Sequence, residues 1–319
     1  METGADARAR VPAWIVLGGA ALVGVLTAVQ ARINGQLGIR LDNGLVAAAI
    51  SFGSGLVILI VLSAFLPAGR RGFAALTNGL RRREIPWWML AGGAAGALTV
   101  ATQGLAVGVI GVSLFTVGVV AGQAMNGLIL DRVGYGPAGV VAVTVPRVLG
   151  ALLALTAVGL GLLGDGVSGI PLWMLVLPFA AGIGIAWQQA TNGRLRQRVG
   201  TPLTATLVNF VGGTILLVLV AVAHVLAVGA GPPPTEPWLY LGGAIGVAYI
   251  ILSAALVAYT GVLLLGLGVV VGQLLASVAI DALWPAAGSP GFVQEFAMVV
   301  VALLSVAVAA VPWRRRARR

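Results

Sequence analysis

Cysteine and lysine are both missing from this 319-residue chain, histidine occurs once, and nine residues are acidic. Without cysteine there can be neither disulfides nor thiolate metal sites. A lone His224 cannot supply a histidine cluster for zinc or for acid–base work. With so few acids no nucleophile–base set can be assembled, so the chain is not expected to be an enzyme, and no metal or cofactor is expected. Charged residues make up 9%, against about 25% in an average soluble domain. Apolar residues take their place: 59% are hydrophobic and the mean hydropathy is +1.05. Apolar runs of about 20 residues, the length that crosses a bilayer core, recur along the chain, so a polytopic all-α integral membrane protein is expected. The net charge of +10 comes from arginine alone. The arginines sit in short clusters between apolar segments, which points to membrane orientation and not to nucleic acid.

The stretch from Gln30 to Gly55 is written twice. It returns at Gln188 to Gly213, shifted by 158 positions without a gap, with Gln30, Asn34, Gly35, Leu37, Arg40, Leu45, Ala47, Phe52 and Gly55 all matched. A second block is shifted by 150: Gly92-Gly93-Ala94-x-Gly96 returns at Gly242, and Gly118-Val119-Val120-x-Gly122-Gln123, then Asp131, returns at Gly268, Gly272, Gln273 and Asp281. The chain is a tandem duplication.

Ten apolar segments follow, at about 12–31, 45–66, 86–104, 110–130 and 148–163, then 172–189, 203–228, 238–258, 263–280 and 292–311. This divides the chain into a leader (1–11), a first five-helix repeat (12–164), a second (165–313) and a basic tail (314–319). A basic loop is expected at Arg70–Arg83, and Arg32 and Arg40 are expected in outside loops. With a cytoplasmic N-terminus, 16 of the 19 arginines fall inside, so both termini are expected in the cytoplasm. Five is odd, so the second repeat must lie upside down relative to the first. Ten transmembrane helices as two inverted five-helix repeats is an architecture of secondary transporters, with the site at the repeat interface.

Six amides stay matched between the copies: Gln30, Asn34 and Gln123 with Gln188, Asn192 and Gln273. Gln30 and Asn34 are four apart and share a helix face. Amides suit a polar or weakly charged solute, so the six are candidates to line its pathway, though interhelical packing alone could also explain them. Gly118–Gly122 and Gly268–Gly272 have the spacing that lets helices approach closely. Asp131 and Asp281 are the acids repeated in both copies, at helix ends. They are candidates for proton coupling or for simple solvation and capping there.

The chain resembles the drug/metabolite transporter (DMT, EamA-like) superfamily in its two five-helix halves. Within that superfamily, Gln-x3-Asn-Gly-x-Leu, a following Phe-x-x-Gly helix, Gly-Gly and Gly-Gln-x7-Asp are similar to the YdcZ-like inner-membrane exporters. That group has a five-helix unit, and this chain looks like two units fused. The resemblance implies a multi-pass protein of the bacterial inner (plasma) membrane that exports a small metabolite or drug. It implies a proton or sodium gradient as the drive, and leaves monomer and homodimer open. Two departures stand out: Arg147 has no arginine partner in copy two, and neither first helix carries a deep acid. A lipid flippase or scramblase, and a non-transporting membrane partner protein, are the alternative readings.

Overall fold

The computed structural model describes residues 13–136, 139–163, 169–229, 231–287 and 289–311. Among these residues the chain is helical throughout and has no strand. The helices are α1 (Ala13–Arg40), α2 (Gly44–Phe65), α3 (Pro67–Arg81), α4 (Gly92–Thr102), the short α5 (Gly108–Ile110) and α6 (Val112–Arg132). They continue as α7 (Val145–Gly161), α8 (Leu172–Val199), α9 (Pro202–Val228), α10 (Gly242–Leu283) and α11 (Phe292–Ala309). Among the described residues six stretches are long and apolar enough to cross a membrane: Gly44–Phe65, Trp87–Ile110, Val112–Arg132, Leu172–Val199, Pro202–Val228 and Phe292–Ala309. Val145–Gly161, Gly242–Ser253 and Gly268–Leu283 are apolar but shorter. Large apolar side chains such as Val57, Leu152, Leu219 and Leu226 stand exposed around the bundle. A soluble surface would not tolerate such a display, whereas lipid would solvate it.

The same turn chemistry joins the first two helices of each copy. Asp42 has a φ of 48°, and its counterpart Gly200 a φ of 77°, so each first helix ends in a left-handed residue. The next residue then caps the second helix: the Asn43 side chain accepts from Val46 N–H at 3.1 Å, and Thr201 Oγ1 accepts from Leu203 N–H at 3.3 Å.

Two local expectations are overturned. Arg70–Arg83 is not a loop. Residues 67–81 form α3, because Gly69, Gly72, Leu76 and Gly79 repeat on one face and are buried while Arg70 and Arg71 face out. Arg32 and Arg40 do not lie in a loop either: α1 continues to Arg40, and Arg32 is 6% exposed. No proline stands between Ala31 and Arg40, and Gly35 and Gly38 weaken the helix without ending it, so the polar residues there stay helical. The break expected between 258 and 263 falls within Gly242–Leu283, which has helical backbone along its length.

Contacts along α1 nevertheless show that α10 doubles back. A β-carbon on Gly242 would meet Asn34, on Gly246 Gln30, and on Gly19 Leu256. The direction then reverses: Gly268 meets Ala20, Gly24 meets Gly272 and Gln273, and Asp281 interacts with Arg32. A straight 42-residue helix would span about 63 Å, and its two ends could not both lie beside the last turns of α1. The two ends of α10 are therefore two arms, the first antiparallel to α1 and the second parallel to it. In the first copy the reversal is made at Gly111, whose φ of 83° separates α5 from α6.

These arms interlock the copies. Residues 242–283 clamp α1 of the first copy, while α4 and α6 clamp α8 of the second. Gly268 would meet Ala20 Cβ at 2.6 Å, and Gly118 would meet Pro178 Cβ at 2.7 Å, a residue 158 positions from Ala20. Gly272 abuts the Ala21 carbonyl, and Gly122 abuts the Phe179 carbonyl. Gly24 and Gly182 return the contact onto the carbonyls of Val269 and Val119. Each contact occurs twice with the copies exchanged, as across a two-fold axis. On that relation Phe52 and Phe210 stack on each other, with ring centroids 4.7 Å apart.

Candidate functional site

Four of the six amides gather around the Phe52–Phe210 pair. The first helix of each copy presents them to the first arm of the other. Gln30 Nε2 donates to the Gly242 carbonyl at 2.7 Å, and Asn34 Nδ2 donates to Gln103 Oε1 at 2.7 Å. In the other half, Gln188 Nε2 and Asn192 Nδ2 both donate to Asn209 Oδ1, at 3.0 and 3.3 Å. The glycines of the arms make this possible. A β-carbon at Gly96 would lie 2.5 Å from Gln188 Nε2, and one at Gly246 would lie 2.5 Å from Gln30 Nε2. The repeated Gly-Gly-Ala-x-Gly sequence is thus the space into which the amides reach.

The two amide groups differ in exposure. Gln30 is 4% and Asn34 0% exposed, whereas Gln188 and Asn192 are half-buried. Asn34 Oδ1 is buried without a hydrogen-bond partner. An orphan acceptor of that kind costs about 1–3 kcal/mol.

Gln123 and Gln273 are placed elsewhere, on the second arms. Gln123 lines a separate cavity of about 190 Å³ between α6, α7 and α11, with Arg147, Gly150 and Ser305 on its walls. Gln273 is buried where its backbone passes Gly24 of α1.

Each end of the clamp is covered by an arginine over aromatic rings. Arg194 lies 4.9 Å from the Tyr135 ring centroid and 5.8 Å from that of Trp88, and donates to the Gly134 carbonyl at 3.0 Å. Tyr135 in turn bonds Thr191 at 3.0 Å. At the other end Arg32 lies 5.9 Å from the Trp284 ring, which packs on Trp238. Cation–π contacts of this kind are worth about 0.5–2 kcal/mol when partly desolvated.

The two repeated acids are both engaged. Asp131 forms an ion pair with Arg147. Asp281 is 2% exposed and accepts from Val112 N–H at 2.9 Å and Ser113 N–H at 2.6 Å. It thereby caps α6, whose first amides and helix dipole favour a negative charge there. Among the described residues no group of three or more potential metal ligands occurs.

Sequence reasoning left three participants outside the candidate site. Gln103 has Ser253 at its repeat position, and Asn209 has Ser51, so neither shows as a matched amide. Equal depth of Asn209 and Ser51 was the available signal. Glu295 corresponds to Val145, so comparing the copies hides it.

The family model described as "Putative inner membrane exporter, YdcZ" matches residues 14–160 and again 173–309. Each match covers one of the two interlocked copies. Comparison with curated proteins finds no match.

Proposed function

The chain belongs to the YdcZ family of inner membrane exporters, two of whose units it carries in tandem, and from that premise we propose that it is a secondary transporter of a small metabolite or drug-like solute. It is a multi-pass membrane protein. In the proposed mechanism ten spans form two inverted five-helix repeats, and the solute passes between them by alternating access. The observation that carries this reading is the exchanged clamp: each first helix, with its amide pair, packs against the glycines of the other copy's arms, and Gln30 bonds the Gly242 carbonyl across it. Rocking one half against the other would loosen one amide group while closing its counterpart. The present difference in burial, Asn34 closed and Asn192 half-open, fits one such conformation. Four amides and Asn209 would then grip the solute through hydrogen bonds rather than through a fixed charge.

A thermal-shift screen of the purified protein against a metabolite library tests this, because a ligand that binds only the folded state raises its apparent stability. A specific hit should then move across inside-out vesicles. A hit that binds without moving would favour the partner-protein reading, and movement of labelled lipid would favour the flippase.

Orientation follows from the arginines. Arg70–Arg83 and Arg194–Arg198 are assigned to the cytoplasm, Glu236 to the opposite face. The absence of cysteine makes single-cysteine labelling clean. A cysteine replacing Thr235 should react with an impermeant maleimide only from outside, and one replacing Arg83 only from the cytoplasm. Labelling of both from one side would sink the topology.

A further inference from the structure

Glu295 is the one buried acid, among the described residues, that the contacts above leave without a counter-charge. It is 2% exposed, and among the described residues neither a hydrogen bond nor an ion pair reaches its carboxylate. It does not face a solid wall. Together with Asp281 it forms the floor of a cavity of about 470 Å³, between the end of α10 and the start of α11. Ser289 adds a hydroxyl, Pro285 and Pro290 give apolar walls, and the exposed Phe292 stands at the mouth.

The charges around it can be counted. Asp281, on α10, accepts from the two amides of α6, and the guanidinium of Arg32 on α1 acts on its charge from a distance, without an ion pair. From α6 the neighbouring turn brings Val112, Ser113 and Leu114, none of which ionises in the working range. From α7 it brings Leu160 and Gly161, and Gln294 ties α11 there by donating to the Leu160 carbonyl at 2.6 Å. With one cation, Arg32, against two acids, Asp281 and Glu295, one negative charge is left over. A carboxylate buried in apolar surroundings without a partner either takes up a proton or holds a cation, because leaving it bare costs several kcal/mol. A cavity of this size, with apolar walls and a few convergent polar groups, is the usual form of a small-ligand site.

We propose that this cavity is a cation-exchange site, in which Glu295 pairs with the positive group of a small organic cation bearing an apolar body and gives up a proton to do so. This rests on the transporter reading and deepens it, by naming a solute class and the group that couples its movement to protons. The exchange balances: one proton leaves the carboxyl oxygen as one monovalent cation arrives. The coupling role falls to Glu295, because Asp131 and Asp281 are already held by Arg147 and by the start of α6.

The test uses the full chain in nanodiscs, with tetraphenylphosphonium as a permanent cation and triphenylphosphine oxide as its neutral control. Binding is followed by calorimetry, and proton release by a soluble pH dye. The cation should bind and the neutral control should not. Affinity should tighten as pH rises, because deprotonation frees the carboxylate, and about one proton should be released per cation at pH values where Glu295 is protonated. Glu295→Gln should lose about tenfold or more in affinity together with all proton release, while Glu295→Asp should keep part of both. Folded wild-type protein that ignores the cation, or that binds it with no proton release at any pH, would overturn the proposal without any variant. So would equal binding by Glu295→Gln. The two readings fail separately. If neutral solutes are transported but no cation binds at Glu295, the site is wrong and the transporter stands. If the cation binds through Glu295 but nothing crosses the membrane, the site stands and transport is wrong.

Discussion

Leucine at Gly122 or at Gly272 is expected to destabilise or disperse the protein, with a loss of about 3 kcal/mol and of most of the monodisperse material in detergent. Both glycines face backbone. A β-carbon at Gly272 would run into the Ala21 carbonyl, and one at Gly122 into the Phe179 carbonyl. Backbone in a packed helix cannot swing aside as a side-chain end can, so the whole helix would have to retreat. The retreat would also open the neighbouring contacts, because Gly24 and Gly182 lean on Val269 and Val119 in the same clamps. A control sits on the same helix as Gly122. A β-carbon at Gly127 would meet nothing within 4 Å, so Gly127→Ala should hold or raise stability by up to about 1 kcal/mol. Fluorescence-detected size-exclusion after a heating series compares the three. Equal melting of Gly122→Leu and the parent would mean that this face looks onto lipid and that the clamp is misread.

The second large effect concerns transport. Asn34→Ala and Asn192→Ala are each expected to cut flux of an identified solute by about tenfold or more, while the protein still inserts and folds. Asn34 carries an acceptor that is buried and unpaired in this conformation, and Asn192 shares Asn209 Oδ1 with Gln188 in an arrangement that leaves spare capacity. Groups with unused hydrogen-bonding capacity gain from a solute, whereas fully paired glue does not. If the amides only hold helices together, leucine or alanine there should lower stability by about 1 kcal/mol and leave the flux per folded molecule unchanged. Gln123→Ala and Gln273→Ala complete the measurement. Reduced flux in these two would extend the route onto the second arms, and normal flux would confine it to the Phe52–Phe210 region. Normal flux in all the amide variants would end the amide proposal.

How far such a site can be read from sequence depends on what the copies kept. The matched Gln30–Asn34 and Gln188–Asn192 pairs stand out because filler around them drifted. Gln103 and Asn209, which those amides bond, could not be found in that way, since each faces a serine in the other copy. Helix α3 was hidden for a different reason: its arginines read as a loop, and its buried stripe is mostly glycine, which hydropathy hardly registers.

Sequence by itself determined the class of molecule and its internal order. Low charge, repeated apolar runs and two offsets within one chain sufficed, because solvation by lipid and duplication both leave marks that need no contacts to be read. Tertiary structure decided who touches whom. It put each first helix inside the other copy's arms, separated Gln123 from the central amides, and paired Asp131 and Asp281 while leaving Glu295 open to a cavity. The reason is physical. A glycine shows only that something approaches, and an acid only that a charge must be balanced. Which backbone approaches, and which group does the balancing, is set by residues more than a hundred positions away.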